Sequence, residues 1–221
     1  MESELTFILD GKKVRAKPGE TILQAAERAG IYIPRLCYHR ELGPHGSCRV
    51  CTVKANGRYV ASCIQPVSPG MVVESDTEEL NDLRRSLLEM LFVEGNHFCM
   101  FCEKSGNCEL QALAYRLGIK APRHRYLFPK RQVDMSHPEA WLDHNRCILC
   151  ARCIRASRDL DKKKLFGFLG RGKDKKVGVG AWQTLGEVKC EVRDKALSVC
   201  PVGALLRKRS GYTIPIGERL Y

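Results

Sequence analysis

The chain of 221 residues is poor in several features that would place it in familiar classes. Its longest apolar stretch, around 87–93, is short and contains Glu89, so no membrane span is expected. The opening MESELTFILD has no basic segment followed by an apolar run, so no secretory signal is expected. No G-x-G-x-x-G is present: Gly170-Arg-Gly172 runs into Lys-Asp-Lys, and Gly178-Val-Gly180 into Ala-Trp-Gln. A P-loop is also missing, and no nucleophile–base pair stands out. These absences argue against a dinucleotide site, a flavin motif and a substrate site on this chain. Aromatic residues are only 7%, which leaves little from which to build a base-stacking platform. With 44% hydrophobic and 28% charged residues, the composition is globular, and disordered and collagen-like classes are excluded.

The chain is, by contrast, rich in cysteine, with twelve. Without an export signal these are expected to stay reduced, so metal ligation is favoured over a disulfide framework, in a soluble cytoplasmic protein. The formal charge of +12 counts each cysteine as neutral, whereas a metal-bound cysteine is a thiolate. One [2Fe–2S] and one [4Fe–4S] cluster on four thiolates each, and a second [4Fe–4S] on three thiolates and a neutral His, lower the balance to about +7. Part of the basic excess therefore offsets cluster charge and is not left for a polyanion.

Residues 1–76 read as short strands and turns. A hairpin is expected from strands 5–9 and 12–16 about Asp10-Gly11, then a helix over 22–29 stopped by Gly30. A second hairpin follows, 49–54 and 59–62 about Asn56-Gly57, and then a strand at 71–74. Two hairpins crossed by one helix make an α+β arrangement. Over 77–93 the spacing turns helical: Leu80, Leu83, Leu87, Leu88, Leu91 and Phe92 form a stripe, with Glu78, Glu79, Arg84 and Arg85 outside. A further helix is expected over 109–116. Residues 119–146 read as an irregular connection, and 161–176 as a loop rich in Lys and Gly. The divisions expected are 1–76, 77–120 and 121–221, the last ending in an apolar tail, 211–221, suited to subunit docking.

The cysteines fall into three groups. Cys37, Cys48, Cys51 and Cys63 are spaced C-x10-C-x2-C-x11-C. The central C-x2-C and distant fourth cysteine suit a [2Fe–2S] cluster, although the first gap differs from the plant-type ferredoxin run. A four-cysteine zinc site is the alternative. His39 and His45 lie nearby and are left as loop residues, because four cysteines fill the set.

His97, Cys99, Cys102 and Cys108 form the second group. Three thiolates leave a four-iron cluster one ligand short; His97 fills the vacancy, with Cys190 as rival. The third group is Cys147, Cys150, Cys153 and Cys200. Its C-x2-C-x2-C run with a distant Cys-Pro, Cys200-Pro201, matches the bacterial ferredoxin signature of a [4Fe–4S] cluster. Cys190 is then left over and reads as a buried structural thiol. Three clusters without a substrate site describe an electron relay.

The order of these groups, CEKSGNCELQ after the second pair and CPVGAL at Cys200, resembles the N-terminal part of the large iron–sulfur subunit of respiratory complex I. A related module stands at the front of iron-only hydrogenases and in diaphorase subunits. The resemblance spans roughly residues 4–206. It implies a ferredoxin-like β-grasp [2Fe–2S] domain, a helical [4Fe–4S] segment with one His and three Cys ligands, and a ferredoxin-like [4Fe–4S] segment with four Cys ligands. The complex I pattern puts its His four residues before the first Cys, which here is Gly95; this chain has His97, two before Cys99.

A free-standing three-cluster module, with EGNHFCMFCEKSGNCELQALAYR and its H-x-C spacing, is most similar to the small diaphorase (gamma) subunits of NAD-reducing [NiFe] hydrogenases. That resemblance implies a partner carrying FMN and the NAD site, and a [NiFe] hydrogenase small and large subunit at the other end. A relay subunit of an NAD-dependent formate dehydrogenase is the runner-up. From a different class, a zinc-bearing nucleic-acid-binding protein draws support from the charge, Lys162–Lys164, Arg171–Lys176 and Arg207-Lys208-Arg209. Against it, no zinc-finger helix can be placed, and a basic run is more often a solvated face or a docking surface for an acidic partner.

Overall fold

The computed structural model describes residues 4–210; the expected docking tail, 211–221, lies outside them. The chain divides into two compact units, Met1–Leu87 and Leu88–Tyr221.

In the first unit, β1 (Leu5–Leu9) and β2 (Lys12–Ala16) form the expected hairpin. Asp10 and Gly11 both have positive φ, as a two-residue hairpin turn of this hand requires. Asn56 and Gly57 repeat this between β3 (Thr52–Ala55) and β4 (Arg58–Ala61). Strand β5 (Val72–Glu74) pairs parallel with β1 and antiparallel with β3, which gives the sheet order β2-β1-β5-β3-β4. Helix α1 (Ile22–Arg28) lays Ile22, Leu23, Ala25 and Ala26 on one sheet face, in a core with Phe7, Leu9, Val53 and Val73. This is the β-grasp arrangement. Strand β3 begins later than the expected residue 49, because Arg49 is left-handed and belongs to the cysteine loop.

Helix α2 (Glu78–Glu94) corrects the expected stripe. Leu80 and Leu88 are buried, but Leu83 is exposed, and Arg84, expected outside, is 1% exposed. Its guanidinium donates to the carbonyls of Val50 (3.2 Å) and Thr52 (2.8 Å) and to Asn81 Oδ1 (2.9 Å). A charge can be buried there because each of its faces finds an acceptor.

The second unit holds more regular structure than the sequence signals. Helix α3 (Glu109–Arg116) is where it was expected. The stretch read as an irregular connection instead contains β6 (Val133–Asp134) and β7 (Ala140–Asp143). With a strand near the end of the described chain, β10 (Leu205–Arg207), they form a sheet of order β10-β7-β6. Helix α4 (Arg152–Asp159) has no counterpart among the expected elements. The Lys/Gly-rich loop contains strand β8 (Phe166–Leu169) and the turn of a hairpin whose second strand, β9 (Lys176–Val179), begins at its end. Gly178 opposes Gly167 in it, and a Cβ on Gly178 would stand 2.3 Å from Leu169 Cδ1. Leu110, Leu113, Leu142, Leu185 and Leu205 are buried, so this unit also buries apolar side chains.

Thr21 caps α1 through a reciprocal box: its hydroxyl accepts from Gln24 N–H (3.3 Å), and Gln24 Oε1 accepts from Thr21 N–H (3.0 Å). Thr21→Ala is expected to lower stability by about 1 kcal/mol, read as a lower urea midpoint with unchanged m-value.

Candidate metal centres

The first cysteine set lies on the loop between α1 and β3 and on the turn after β4. Gly43, Gly46 and Arg49 have positive φ, which curls the loop so that its amides face inward. Cys37 and Cys48 exchange backbone N–H···Sγ bonds at 3.4 and 3.5 Å. Amides of His45, Val50 and Cys63 donate to Cys63, Cys48 and Cys51, respectively. The thiols themselves are linked, Cys37 to Cys48 and Cys63, and Cys51 to Cys63. In that network Cys37 is held low by hydrogen bonds from Cys48 and Cys63, Cys51 is lowered to about 7 by its bond from Cys63, and Cys48 and Cys63 are pushed up. Cys37, Cys51 and Cys63 are buried. Such a pocket of converging sulfurs and inward amides fits a small anionic cluster. Buried Arg84 lies beneath the loop, on the carbonyls either side of Cys51.

The second set shares one enclosed space. His97, Cys99, Cys102 and Cys108 line it together with Gln111 and Arg146. Cys108 caps α3, and the amides of Leu110 and Gln111 at the helix start point at its sulfur. Burial nonetheless pushes this thiol up to about 12. The Gln111 side chain donates to Cys99, and Arg146 Nη1 donates to Cys102 Sγ at 3.7 Å.

Burial, and then the charge of Arg146, lower His97 to about 4, so its ring is neutral at pH 7, the state in which imidazole can ligate. The ring also bonds the Leu91 carbonyl, which leaves the other nitrogen available, and packs edge-on against Phe92 at 5.5 Å. A Cβ on Gly95 would stand 2.6 Å from His97 Nε2. The imidazole thus fills the space into which a side chain at 95 would project. The glycine was the available signal: it is what makes room for the ring.

The third set is drawn together by α4 and the turn before it. Leu149 and Ala151 are left-handed, unusual for residues with a Cβ, and the alternation wraps the chain tightly. It aims the amides of Leu149, Arg152 and Ile154 at the sulfurs of Cys147, Cys150 and Cys153. Burial raises all three thiols, Cys147 to about 11. The proximity of Cys200 adds to each. Arg152 is buried beside this set. It pairs with Glu109 on α3 through two bonds of 2.5 and 2.7 Å and donates to the Val199 carbonyl at 3.5 Å.

Glu109 N–H also donates to the Pro201 carbonyl (2.9 Å), and a Cβ on Gly203 would stand 2.5 Å from Cys102 Sγ. The CPVGAL segment therefore serves both sets. Cys190 is elsewhere: Asp194 and Lys163 are its charged neighbours, and its carbonyl faces His137 Nε2 at 3.0 Å. Among the described residues no group of three or more His, Cys, Asp or Glu side chains is set to hold a single metal ion.

Comparison with known proteins matches three regions of the chain to family models. Residues 2–78 match a 2Fe-2S iron-sulfur cluster binding domain. Residues 84–123 match the NADH-ubiquinone oxidoreductase-G iron-sulfur binding region, and 138–206 the ferredoxin-like domain of NADH-quinone oxidoreductase subunit 3. The chain is 42% identical to the gamma subunit of the NAD-reducing hydrogenase HoxS of Cupriavidus necator, over 98% of this chain and 93% of that one. It belongs to the hydrogenase gamma-subunit family.

A chain in the crystal structure of an NAD+-reducing [NiFe]-hydrogenase in the H2-reduced state is similar, with TM-score 0.94 and 50% identity, covering 98% of this chain and 93% of that one. The mitochondrial 78 kDa subunit of NADH-ubiquinone oxidoreductase from Candida albicans is 37% identical over 93% of this chain, which spans only 29% of that subunit. The mitochondrial NADH dehydrogenase [ubiquinone] iron-sulfur protein 1 of Solanum tuberosum is 34% identical over 94% of this chain and 28% of its own length. As a gamma-family member the chain is an iron–sulfur electron-transfer component of the oxidoreductase class, with 2Fe-2S and 4Fe-4S binding regions. The zinc-bearing nucleic-acid alternative finds no support in that family. Among the described residues no helix is long and apolar enough to cross a membrane.

Cys190→Ala is expected to keep the full iron content, about ten per chain for one [2Fe–2S] and two [4Fe–4S] clusters. Gly203→Ala is expected to lose about four of these, because the new methyl displaces Cys102. Iron and acid-labile sulfide analysis of the anaerobically purified protein reads both.

Proposed function

We propose that this chain relays single electrons between an FMN- and NAD-binding diaphorase subunit and the small and large subunits of a [NiFe] hydrogenase, in the cytoplasm. The ligand sets proposed are Cys37, Cys48, Cys51 and Cys63 for one [2Fe–2S] cluster, then His97, Cys99, Cys102 and Cys108 for one [4Fe–4S] cluster. Cys147, Cys150, Cys153 and Cys200 hold a second [4Fe–4S]. The three segments are 1–76, 77–120 and 121–221.

One observation carries the reading: three convergent thiol-bearing sites, with no competing substrate motif, in a chain 42% identical throughout to a subunit of an NAD-reducing hydrogenase. When bound, the clusters supply reversible one-electron chemistry. The protein's part is to hold the sulfurs, exclude water and set the charge around them. Inward amides, the buried Arg84 and Arg152, and the half-buried Arg146 do this at the three sites. Neutral His97 leaves the second site one negative charge short of a four-thiolate set.

The native complex, purified anaerobically through this subunit, is expected to form NADH from hydrogen and NAD+. Formate supplied in place of hydrogen is expected to give none. Formate-driven reduction alone would move the chain to a formate dehydrogenase. His97→Cys is expected to retain iron and to lower the reduction potential of one four-iron cluster, since an added thiolate makes an extra electron harder to accept. A variant that keeps that potential unchanged would remove His97 from the ligand set.

A further inference from the structure

We propose that Arg146 is a positioning residue that joins the second and third ligand sets and raises the reduction potential at the second. This rests on the ligand assignment above. The side chain of Arg146 is 14% exposed and is held on several sides. Its Nε pairs with Asp143 Oδ2 at 3.2 Å, its guanidinium carbon lies 5.3 Å from the centre of the Trp141 ring, and its Nη1 donates to Cys102 Sγ at 3.7 Å. Its Cδ borders Gly203, 3.6 Å from where a Cβ would stand. The next residue in the chain is Cys147, of the third set.

Asp143, at the end of β7, fixes this geometry twice. Its Oδ1 accepts from Asn145 N–H at 2.8 Å and so caps the short turn that carries Arg146, while its Oδ2 holds the guanidinium. One residue thus spans from a sulfur of the second set, through its own backbone, to the first sulfur of the third.

The electrostatic consequence has a definite sign. Reduction adds a negative charge to a site of which the Cys102 sulfur is part, in surroundings from which water is largely excluded. A permanently charged guanidinium on that sulfur favours the reduced form. The Asp143 carboxylate, on the far side of the guanidinium, partly cancels the effect. Lys104, Arg131 and His97 are further basic groups near this site; Lys104 reaches it through its Cβ, near Gly203, Arg131 acts on His97 through its charge, and His97 is neutral at pH 7.

Redox titration of the anaerobic native complex, followed by electron paramagnetic resonance, tests this. The signal that shifts in His97→Cys identifies the second cluster. Arg146→Gln is expected to reduce the reduced-to-oxidised ratio of that cluster about tenfold at fixed potential, a shift of about 59 mV to lower values for one electron. Arg146→Lys is expected to retain most of the wild-type value, and Asp143→Asn to move it upwards. The potential of the [2Fe–2S] cluster should stay where it is in all three.

An Arg146→Gln variant with the second cluster present and its potential unmoved would overturn the proposal, as would equal shifts of every cluster. Should Arg146→Gln fail to assemble that cluster, Asp143→Asn decides: a rise supports the role, and no change or a fall refutes it. If no signal moves in His97→Cys, the ligand assignment has failed, which is separate from failure of Arg146.

Discussion

Burying sulfur that must become anionic is the constraint to which the rest of this structure answers. A free thiol in an apolar pocket keeps its proton, as the raised values of Cys108, Cys147, Cys150 and Cys153 record. Ligation requires the thiolate, so the protein needs compensating positive potential that is already in place. It comes in two forms. Loops with left-handed residues, at Gly46 and Arg49 in the first set and at Leu149 and Ala151 in the third, turn amides toward the sulfurs. Arginines are buried where water cannot screen them. Arg84 and Arg152 offset the cost of burial by donating to backbone carbonyls and, for Arg152, to Glu109. The basic excess of the composition therefore has a partly internal use.

That use also explains which parts of the fold are legible in the sequence. Asp10-Gly11 and Asn56-Gly57 specify hairpins through local backbone chemistry, so both can be read directly, as can α1 between its cap and Gly30. The ligand spacings are legible for a similar reason: C-x2-C-x2-C describes a loop that covers one object. Arg84 is misplaced by the sequence pattern because a helical periodicity sorts residues by hydrophobicity, whereas its burial depends on the Val50 and Thr52 carbonyls, distant in sequence. Helix α4 has little apolar periodicity to detect. Its buried face includes Arg152, Cys153, Arg155, Ala156 and Ser157, a composition set by the neighbouring sulfurs and their counter-charges.

The strands β6, β7 and β10 escape a sequence reading for another reason. They are short, and their pairing is non-local: Leu205 opposes Leu142 across more than sixty residues of chain. Nothing in a two-residue strand such as β6 announces a sheet. Yet this small sheet has a role at the sites. Asp143, its last β7 residue, caps the turn into Cys147, and the Asp143 amide donates to the Ala204 carbonyl at 2.7 Å, just past Cys200 and Gly203. The two distant ends of the third ligand set are thereby brought into register by backbone pairing before any ligand is considered.

This arrangement divides the work between protein and cofactor. The second unit buries Leu110, Leu113, Leu142 and Leu205 together with Cys102, Cys150 and Cys153. Burial there raises the free thiols, which keep their protons. At the proposed ligand sets, cluster binding would displace a proton from each cysteine, which would couple affinity to pH, and would add a cross-link among segments that lie far apart in sequence. At the proposed third set that cross-link would close a loop from Cys153 to Cys200, which includes the β8–β9 hairpin and Cys190. Backbone pairing at Asp143 and Ala204 brings those ends together, and ligation would fix them there, so that the local folding of these loops and their loading would belong to one equilibrium.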